Sequence, residues 1–509
     1  MYCFWSKVLD CTSCGENVEL VNDYRIGNGR YENKGKYNVF CPDCHNVFFF
    51  FFLHEETTCH DCMNSFVPDN GTANQGKYTC HNCGQKYSII DAIQEQGGFD
   101  LELYAVEYYC GICKEDGEEK SQYKGYKKAT ADDKERFKSA VNEWEQSEEL
   151  HSFVPDSEIP LGILTDSSAV SGSITGGHNV LRHGYQDWTD MYNERQLLSL
   201  SKILKAIDEV ENENAAEYLL LALSESLKYN SLMSTYDISY NKIDHTFRMN
   251  AFRPPVTPTE TNVWGAEEGS GTFRAMWDMV LTGIEYAKAP TERYVSNGET
   301  VKSEPFSKSV GGDYEIQCGD ARSIEETDEY DLVLTDPPYY DNIIYSELSN
   351  YYYVWQRLLL KDRYEHFEQE YTPSAESIVA NPAEGKGSEE FELELKQSFD
   401  TIKQALKKDG LFAFTYHHND SESWGELLEA LCDSGFIVTA TYPLSADINK
   451  FIEGEAVSFD IVVVARPVNE TDPASWKSLR RDIYRTARRT RKQLEENRDL
   501  SRGDIGVME

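Results

Sequence analysis

Ten of the thirteen cysteines in this 509-residue chain form five Cys-x-x-Cys pairs near its start, and thiols spaced this way restrict the fold more than any other feature. The pairs are Cys11 and Cys14, Cys41 and Cys44, Cys59 and Cys62, Cys80 and Cys83, and Cys110 and Cys113. Two residues between thiolates let both sulfurs of a turn face one ion, and two such turns complete a tetrahedral zinc site. Adjacent pairing predicts one zinc ribbon from Cys11, Cys14, Cys41 and Cys44 and a second from Cys59, Cys62, Cys80 and Cys83. Interlaced pairing is the alternative. Four thiolates leave no position open for water, so the expected Zn2+ is structural. The fifth pair has no partner pair and reads as a vestigial knuckle or as core thiols. A redox role competes with metal binding for all of them.

The chain carries 88 acidic and 49 basic residues, a net charge of -39, which is the wrong sign for a nucleic-acid protein. The acid is spread along the chain, which suggests a halophilic surface. Molar salt shortens the Debye length to roughly 3 Å and weakens attraction to phosphate in any case. An acidic surface on an unrelated metabolic enzyme is the alternative. The exception is a cationic stretch, Arg480, Arg481, Arg485, Arg488, Arg489, Arg491 and Lys492. It is expected on a helix that either contacts phosphates or pairs with the acidic body.

No apolar run approaches the ~20 residues needed to span a bilayer, and no secretory signal is visible. The expected location is cytoplasmic, with no membrane partner, where paired thiols hold metal more often than they form disulfides. The aromatic run from Phe48 to Phe52 is too short for a span and is expected to be a buried strand or a segment that packs on the ribbons.

The expected organisation is a zinc-ribbon region at 1–113, a polar linker with an exposed helix at 114–186, and a helical region at 187–305 for target recognition or bracing. A catalytic region at 306–470 and a basic helical tail at 471–509 follow. In the helical region Leu197, Leu198, Leu200, Ile203 and Leu204 fall on one apolar face. The glycines from Gly265 to Gly271 are weak evidence of a ligand loop.

Beyond residue 310, strands are predicted at 314–318, 332–335, 411–415, 436–441 and 459–465. Helices near 343–360, 390–407 and 422–434 separate several of them, which implies a largely parallel sheet in an α/β fold. Ligands bind at the carboxyl edge of such a sheet, where Asp320, Asp336, His417, His418 and Tyr442 follow strands. Asp320 either accepts a hydrogen bond from a nucleoside cofactor or caps a helix. His417 and His418 read more readily as edge histidines, and Tyr351, Tyr352, Tyr353 and Trp355 as helix packing.

The segment Leu332-Val333-Leu334-Thr335-Asp336-Pro337-Pro338-Tyr339 reads as a short buried strand that delivers a carboxylate, two prolines and an aromatic ring to one point. That set suits methylation of an exocyclic amine, whose lone pair is delocalised into the base. A carboxylate and a backbone carbonyl that accept its two N–H groups turn the lone pair toward a methyl donor. Asp336 supplies the carboxylate and the Asp336-Pro337 amide the carbonyl. Proline lacks an N–H and fixes φ, so no neighbouring donor competes for these acceptors. Tyr339 would stack on a base extruded from the duplex. The plain alternative is a strand that ends in a Pro-rich turn. Cytosine-C5 chemistry is disfavoured, because no Pro-Cys nucleophile lies near this loop.

Residues 336–342, Tyr345, Leu348, Ser349, the Tyr351-Tyr352-Tyr353-Val354-Trp355 run and Gly319-Asp320-Ala321-Arg322 closely resemble the zinc-ribbon-containing adenine-specific DNA methylases. So do Tyr416-His417-His418, Trp424, Thr439-Ala440-Thr441-Tyr442-Pro443, Arg195-Gln196-Leu197 and the cysteine pairs. The resemblance implies a partial Rossmann-like methyltransferase sheet, S-adenosyl-L-methionine as cofactor, DNA as partner, adenine-N6 as the methylated atom and Asp320 on the cofactor side. Cytosine-N4 or RNA amine methylation is the nearest alternative. A non-catalytic zinc-ribbon DNA-binding subunit is the alternative from another class. Members of the family carry a Phe-x-Gly-x-Gly type loop ahead of the ribbons, and it is missing here. The chain is therefore expected to be the later portion of a longer or split enzyme, completed by a separate chain that carries the loop.

Overall fold

A computed structural model describes residues 2–170, 179–265, 269–340, 343–418, 421–445, 459–468, 475–497 and 505. The chain divides into two compact units: Met1–Glu315 with Glu347–Thr372, and Ile316–Ser346 with Pro373–Glu509. No helix among the described residues is long and apolar enough to cross a membrane.

The first unit uses β1 (Tyr2–Asp10), β2 (Asn17–Leu20), β3 (Arg25–Asn28), β4 (Tyr37–Phe40), β5 (Val47–Phe50), β6 (Asp100–Tyr109), β7 (Lys124–Lys128) and β8 (Thr259–Thr261). β1 pairs antiparallel with β6, which pairs with β7, while the far edge of β1 is shared by β8 and β2. Phe4, Trp5 and Leu9 of β1 are buried. The 114–186 segment, expected as a linker with an exposed helix, supplies that helix as α1 (Ala131–Gln146), which buries no residue, and also adds β7 to the sheet. β7 joins through backbone pairing at a sheet edge, and its Tyr126 ring packs against Phe4 at 6.0 Å.

α2 (Glu194–Asp208) begins in a reciprocal cap: Gln196 N–H donates to the Asn193 side chain at 2.9 Å, and Asn193 N–H donates to Gln196 Oε1 at 3.0 Å. Such caps satisfy amides that the first turn leaves open. Leu197, Leu198, Leu200, Ile203 and Leu204 are all buried, as expected. After α3 (Glu213–Leu227) and α4 (Phe273–Lys288), α5 (Tyr345–Leu360) buries Tyr351, Tyr353 and Trp355. Tyr351 donates to the Leu227 carbonyl at 2.8 Å, so these aromatics do pack the helix.

The Phe48–Phe52 run is not a buried strand, although Phe48 packs against the core that holds Cys41 and Cys59, as a ribbon-packing segment would. β5 is the edge of a three-stranded sheet, β3-β4-β5, and Phe49, Phe51 and Phe52 are 45, 54 and 59 % exposed. The Lys36 ammonium lies 5.5 Å from the Phe49 and Phe51 ring centres.

The second unit is a mixed α/β layer built from β9 (Tyr330–Thr335), α6 (Ser388–Ala405), β10 (Leu406–Tyr416), α7 (Ser421–Asp433), β11 (Phe436–Ser445), β12 (Phe459–Pro467) and α8 (Trp476–Asn497). Its strand order is β9-β10-β12-β11, and of its three pairings only β9 with β10 is parallel. The expected largely parallel sheet is thus corrected. β9, β10 and β11 run one way, and β12 is inserted against them. Gly435, at φ 75°, turns the chain from α7 into β11, a left-handed conformation that glycine adopts without strain.

Phe391, Leu395, Phe399 and Ile402 form one stripe of α6 and pack with Leu427 and Leu431 of α7 on Phe412, Phe414, Ile461 and Val463 of the sheet. The spacing is that of a helix face against alternate strand positions, and each such side chain contributes about 1.5–3 kcal/mol. Among the described residues the opposite sheet face is less covered, with Leu411, Ala413, Val462 and Val464 half-buried. β9 is therefore not the buried strand expected: Val333 packs inward, but Leu332 and Leu334 are 54 and 70 % exposed. The strand expected at 314–318 is also absent. That segment is exposed coil, with Ile316 84 % accessible.

Candidate active site and metal centres

β9 ends at Thr335, which places Asp336 at the carboxyl end of the strand. Asp336 is exposed and Pro337 is buried behind it, with Pro338 and Tyr339 half-buried. The Tyr339 hydroxyl donates to Asp336 Oδ1 at 2.5 Å, and the Thr415 hydroxyl donates to the same oxygen. Oδ2 accepts no hydrogen bond from the described residues. Burial pushes the Tyr339 phenol above its ordinary pKa, and its bond to Asp336 adds to the shift, so the phenol remains a proton donor.

Tyr339 packs edge to face on Tyr416 at 5.3 Å and lies nearly parallel to His417 at 6.4 Å. His417 Nδ1 is 3.0 Å from Asp460 and 3.2 Å from the Phe459 carbonyl. Tyr340 has φ +57°, a conformation that costs a bulky residue about 1–3 kcal/mol. It is held there by Phe391, which meets its ring edge-on at 5.2 Å, and by the Ala380 N–H, which donates to its carbonyl. Trp424 Nε1–H donates to the His418 carbonyl at 3.0 Å. Asp336 to Tyr339 and Tyr416 to His418 thus meet at one end of β9 and β10. Asp341 and Asn342 lie outside the described residues.

Sequence reasoning missed Thr415 and Asp460. Both sit on predicted strands, and only the register that sets Thr335 beside Phe414 and Thr415 opposite Val462 brings Thr415 to the motif.

Asp320 does not join this cluster by any hydrogen bond or ion pair. Its side chain caps a short 3-10 turn by accepting the Arg322 N–H at 2.8 Å, and both its oxygens take bonds from the Arg322 guanidinium. Those bonds hold its carboxyl below the usual range. Capping, one of the two roles expected for Asp320, is thus seen at this turn. Arg322 continues to Glu394, which also pairs with Lys386.

The cysteines form two tetrads nested rather than adjacent. Cys11, Cys14, Cys80 and Cys83 make the outer one, and Cys41, Cys44, Cys59 and Cys62 the inner one. This corrects the pairing expected from order along the chain. Each pair sits at the tip of a hairpin, for example Cys11 and Cys14 between β1 and β2, and Cys41 and Cys44 between β4 and β5. The residue after each pair takes a positive φ: Gly15 71°, His45 57°, Met63 61° and Gly84 73°. Sulfurs are 3.5 Å apart for Cys11 and Cys83, 3.7 Å for Cys14 and Cys80, 3.4 Å for Cys41 and Cys62, and 3.5 Å for Cys44 and Cys59. Four sulfurs at zinc–thiolate bond lengths around one ion would lie roughly 3.8 Å apart, so both tetrads fit Zn2+.

Cys110 and Cys113 join neither tetrad. They are half-buried and paired with each other. Gly271 has a packing role: its carbonyl accepts a bond from Asn230 at 2.7 Å, and a Cβ there would meet Tyr229 at 2.3 Å.

Neither a family model nor a curated protein matches the chain. Among solved structures, a candidate DNA modification methylase of Thermus thermophilus aligns at 14% identity, over 31% of this chain and 55% of that one, with a TM-score of 0.18. The precorrin-6y C5,15-methyltransferase of Geobacter metallireducens aligns at 15% identity, over 29% of this chain and 83% of that one, with a TM-score of 0.13. At such TM-scores neither alignment assigns a fold or an activity.

Proposed function

We propose that the chain is the base-orienting portion of an S-adenosyl-L-methionine-dependent DNA adenine-N6 methyltransferase, braced by two structural zinc sites, with its second unit forming part of a Rossmann-like sheet. The observation that carries this reading is the Asp336-Pro337-Pro338-Tyr339 run at the carboxyl end of β9, with Asp336 exposed. Asp336 Oδ2 accepts one amino hydrogen of the target base, and the Asp336 carbonyl accepts the other. Pro337 offers no N–H to either. Thr415 and Tyr339 fix the carboxylate through Oδ1, a preorganised arrangement in which geometry contributes rate. The exposed carboxylate can pass the proton that the amine loses on to water.

The residues present do not by themselves cradle the cofactor. Among the described residues no glycine-rich turn follows a strand of the second sheet, and Asp320 is already bound to Arg322. The non-catalytic zinc-ribbon reading draws on that same observation.

The test is nucleoside mass spectrometry of DNA from cells that lack the chain, complemented with wild type or Asp336→Ala. N6-methyladenine restored by wild type alone supports the proposal. Restoration by Asp336→Ala at equal abundance and zinc content defeats it. N4-methylcytosine, or no methylated base, selects one of the alternatives.

A further inference from the structure

The small sheet beside the inner cysteine tetrad carries a cavity, a row of exposed rings and a local excess of cations, none of which the chemistry at Asp336 uses. The cavity, of about 130 Å3, lies in the first unit between the turn at Tyr31–Asn33, the β4–β5 hairpin and the paired strands β6 and β7. Tyr31, Phe48, Phe49, Tyr108 and Tyr126 give it aromatic walls, and Asn28, Asn33 and Asn38 bring amides to it. Pockets for drug-sized ligands run to about 300–1,000 Å3, so this one suits a single ring. Tyr31 lines it from a backbone at φ +56°, strain that a bulky residue keeps only where its surroundings hold it.

The exposed rings continue from the cavity. Strand register sets Asn38 opposite Phe49, and the ammonium of Lys36, two residues before Asn38, lies 5.5 Å from the centres of both Phe49 and Phe51. Alternate residues share a face of a sheet, so Lys36, Asn38 and Phe49 stand on one side. The charge there runs against that of the chain. The whole chain has a net charge of -39, yet the stretch 25–52 holds Arg25, Arg30, Lys34 and Lys36 against Glu32 and Asp43. In the cavity wall Arg30 and Lys124 share one carboxylate, each 3.8 Å from Glu107 Oε1, so these three groups together remain positive.

Exposed rings alone would suit an apolar protein partner or a second copy of this chain. Cations set over and beside the rings disfavour both, because a dry interface would have to desolvate them. Rings flanked by cations match unpaired nucleic acid, whose backbone follows positive charge while its bases stack on aromatic side chains. We infer that this surface binds unpaired DNA: Arg30, Lys36 and Lys124 meet phosphates, Phe49 and Phe51 stack successive bases, and one base enters the cavity against Tyr31 and the asparagine amides. The choice of DNA over RNA rests on the methyltransferase reading, whereas the surface itself does not.

The full chain with its zinc tests this against a fluorescein-labelled single strand of mixed sequence, the matching duplex and the matching RNA. In anisotropy titrations at low salt the single strand should bind at least tenfold more tightly than the duplex. An iodouracil-substituted strand, irradiated in the complex, should cross-link within 31–52, as mapped by peptide mass spectrometry. Phe49→Ala with Phe51→Ala should weaken single-strand binding at least tenfold while zinc content and duplex binding stay unchanged. Lys36→Gln should instead make the salt dependence shallower by about 0.7 in log K against log salt, one phosphate's worth on a single strand. Equal affinity for strand and duplex, cross-links confined to other segments, wild-type affinity in the double variant, or a tenfold preference for the RNA would each overturn the inference. So would a dimer of the wild-type chain that the double variant abolishes. Asp336→Ala should bind the strand as wild type does, which separates the two proposals. Cross-linking at 31–52 by a chain that methylates no DNA removes the methyltransferase reading and leaves the surface standing, whereas N6-methyladenine formed without binding at 31–52 does the reverse.

Discussion

The phenol of Tyr339 donates to Asp336 Oδ1 at 2.5 Å, and Thr415 donates to the same oxygen. One carboxylate oxygen is thereby anchored from two strand ends and the other faces outward. In the proposed reaction the anchored oxygen sets the angle at which the outer one meets an amine. Tyr339→Phe keeps the ring but deletes one anchor. A hydrogen bond to a charged group is worth about 1.5–3 kcal/mol, so kcat should fall at least tenfold with KM for DNA little changed. Thr415→Val should behave alike. Tyr339→Ala also removes the ring and should raise KM, as read from initial rates of nucleoside methylation. Equal KM for the Phe and Ala variants would show that the ring does not stack on the base.

The nested tetrads make a prediction that adjacent ribbons do not. Cys41 and Cys59 share the inner site, so Cys41→Ser with Cys59→Ser should lose one of two bound zinc ions and keep the other. Under adjacent pairing that double variant would damage both sites. Metal analysis of protein purified without chelator counts the ions. Because site assembly is coupled to folding, the variant should also unfold at lower temperature.

Much of the second unit is legible in the sequence because its signals are local. The stripe Phe391, Leu395, Phe399 and Ile402 marks α6, and alternation marks β10 and β12. Long-range pairing is not legible. The inner tetrad joins the two cysteine pairs nearest in sequence, 15 residues apart from Cys44 to Cys59. That spacing was a usable clue, but chain order suggested other pairs. Leu332-Val333-Leu334 reads as a buried strand, and only the exposure of Leu332 and Leu334 shows otherwise. β7 is made of Lys124, Gly125, Tyr126, Lys127 and Lys128, and a strand that joins an edge by backbone pairing shows only one core-facing ring, Tyr126, as a sequence signal. Thr415 reaches Asp336, 79 residues away in the chain, through strand register, which local patterning does not reveal.

Lys7 of β1 is buried, with its ammonium 4.2 Å over the Phe99 ring, 4.8 Å over the Tyr185 ring and no hydrogen-bond partner. Burial pushes its pKa down to about 7. The unfolded chain holds this proton up to about pH 10.5, so between pH 7 and that value the unfolded state binds more protons than the native one. Stability from this group therefore rises with pH across the window and is lost as pH falls toward 7. Urea midpoints should climb from pH 7.5 to pH ~10 in wild type, and Lys7→Met should be the more stable chain at pH 7.5, with the gap closing at the higher pH. Parallel pH profiles for the two proteins would show that Lys7 is not the titrating group.

α8 concentrates cationic charge in an acidic chain. Arg480, Arg488 and Arg489 form no ion pair among the described residues, whereas Arg485 pairs within the helix with Asp482 at 2.5 Å and Lys492 with Glu496 at 3.6 Å. No acidic side chain among the described residues pairs with these three guanidiniums, and each is taken as a phosphate contact. Neutralising one phosphate contributes a slope of about -0.9 in log K against log salt. Replacing Arg480, Arg488 and Arg489 by Gln should weaken binding to duplexes of unrelated sequence to a similar degree. It should also make the slope shallower by up to about 2.7, three contacts' worth, in anisotropy titrations across a salt series. A variant that binds with the wild-type slope would show that α8 is a solvated helix and that phosphate contacts lie elsewhere.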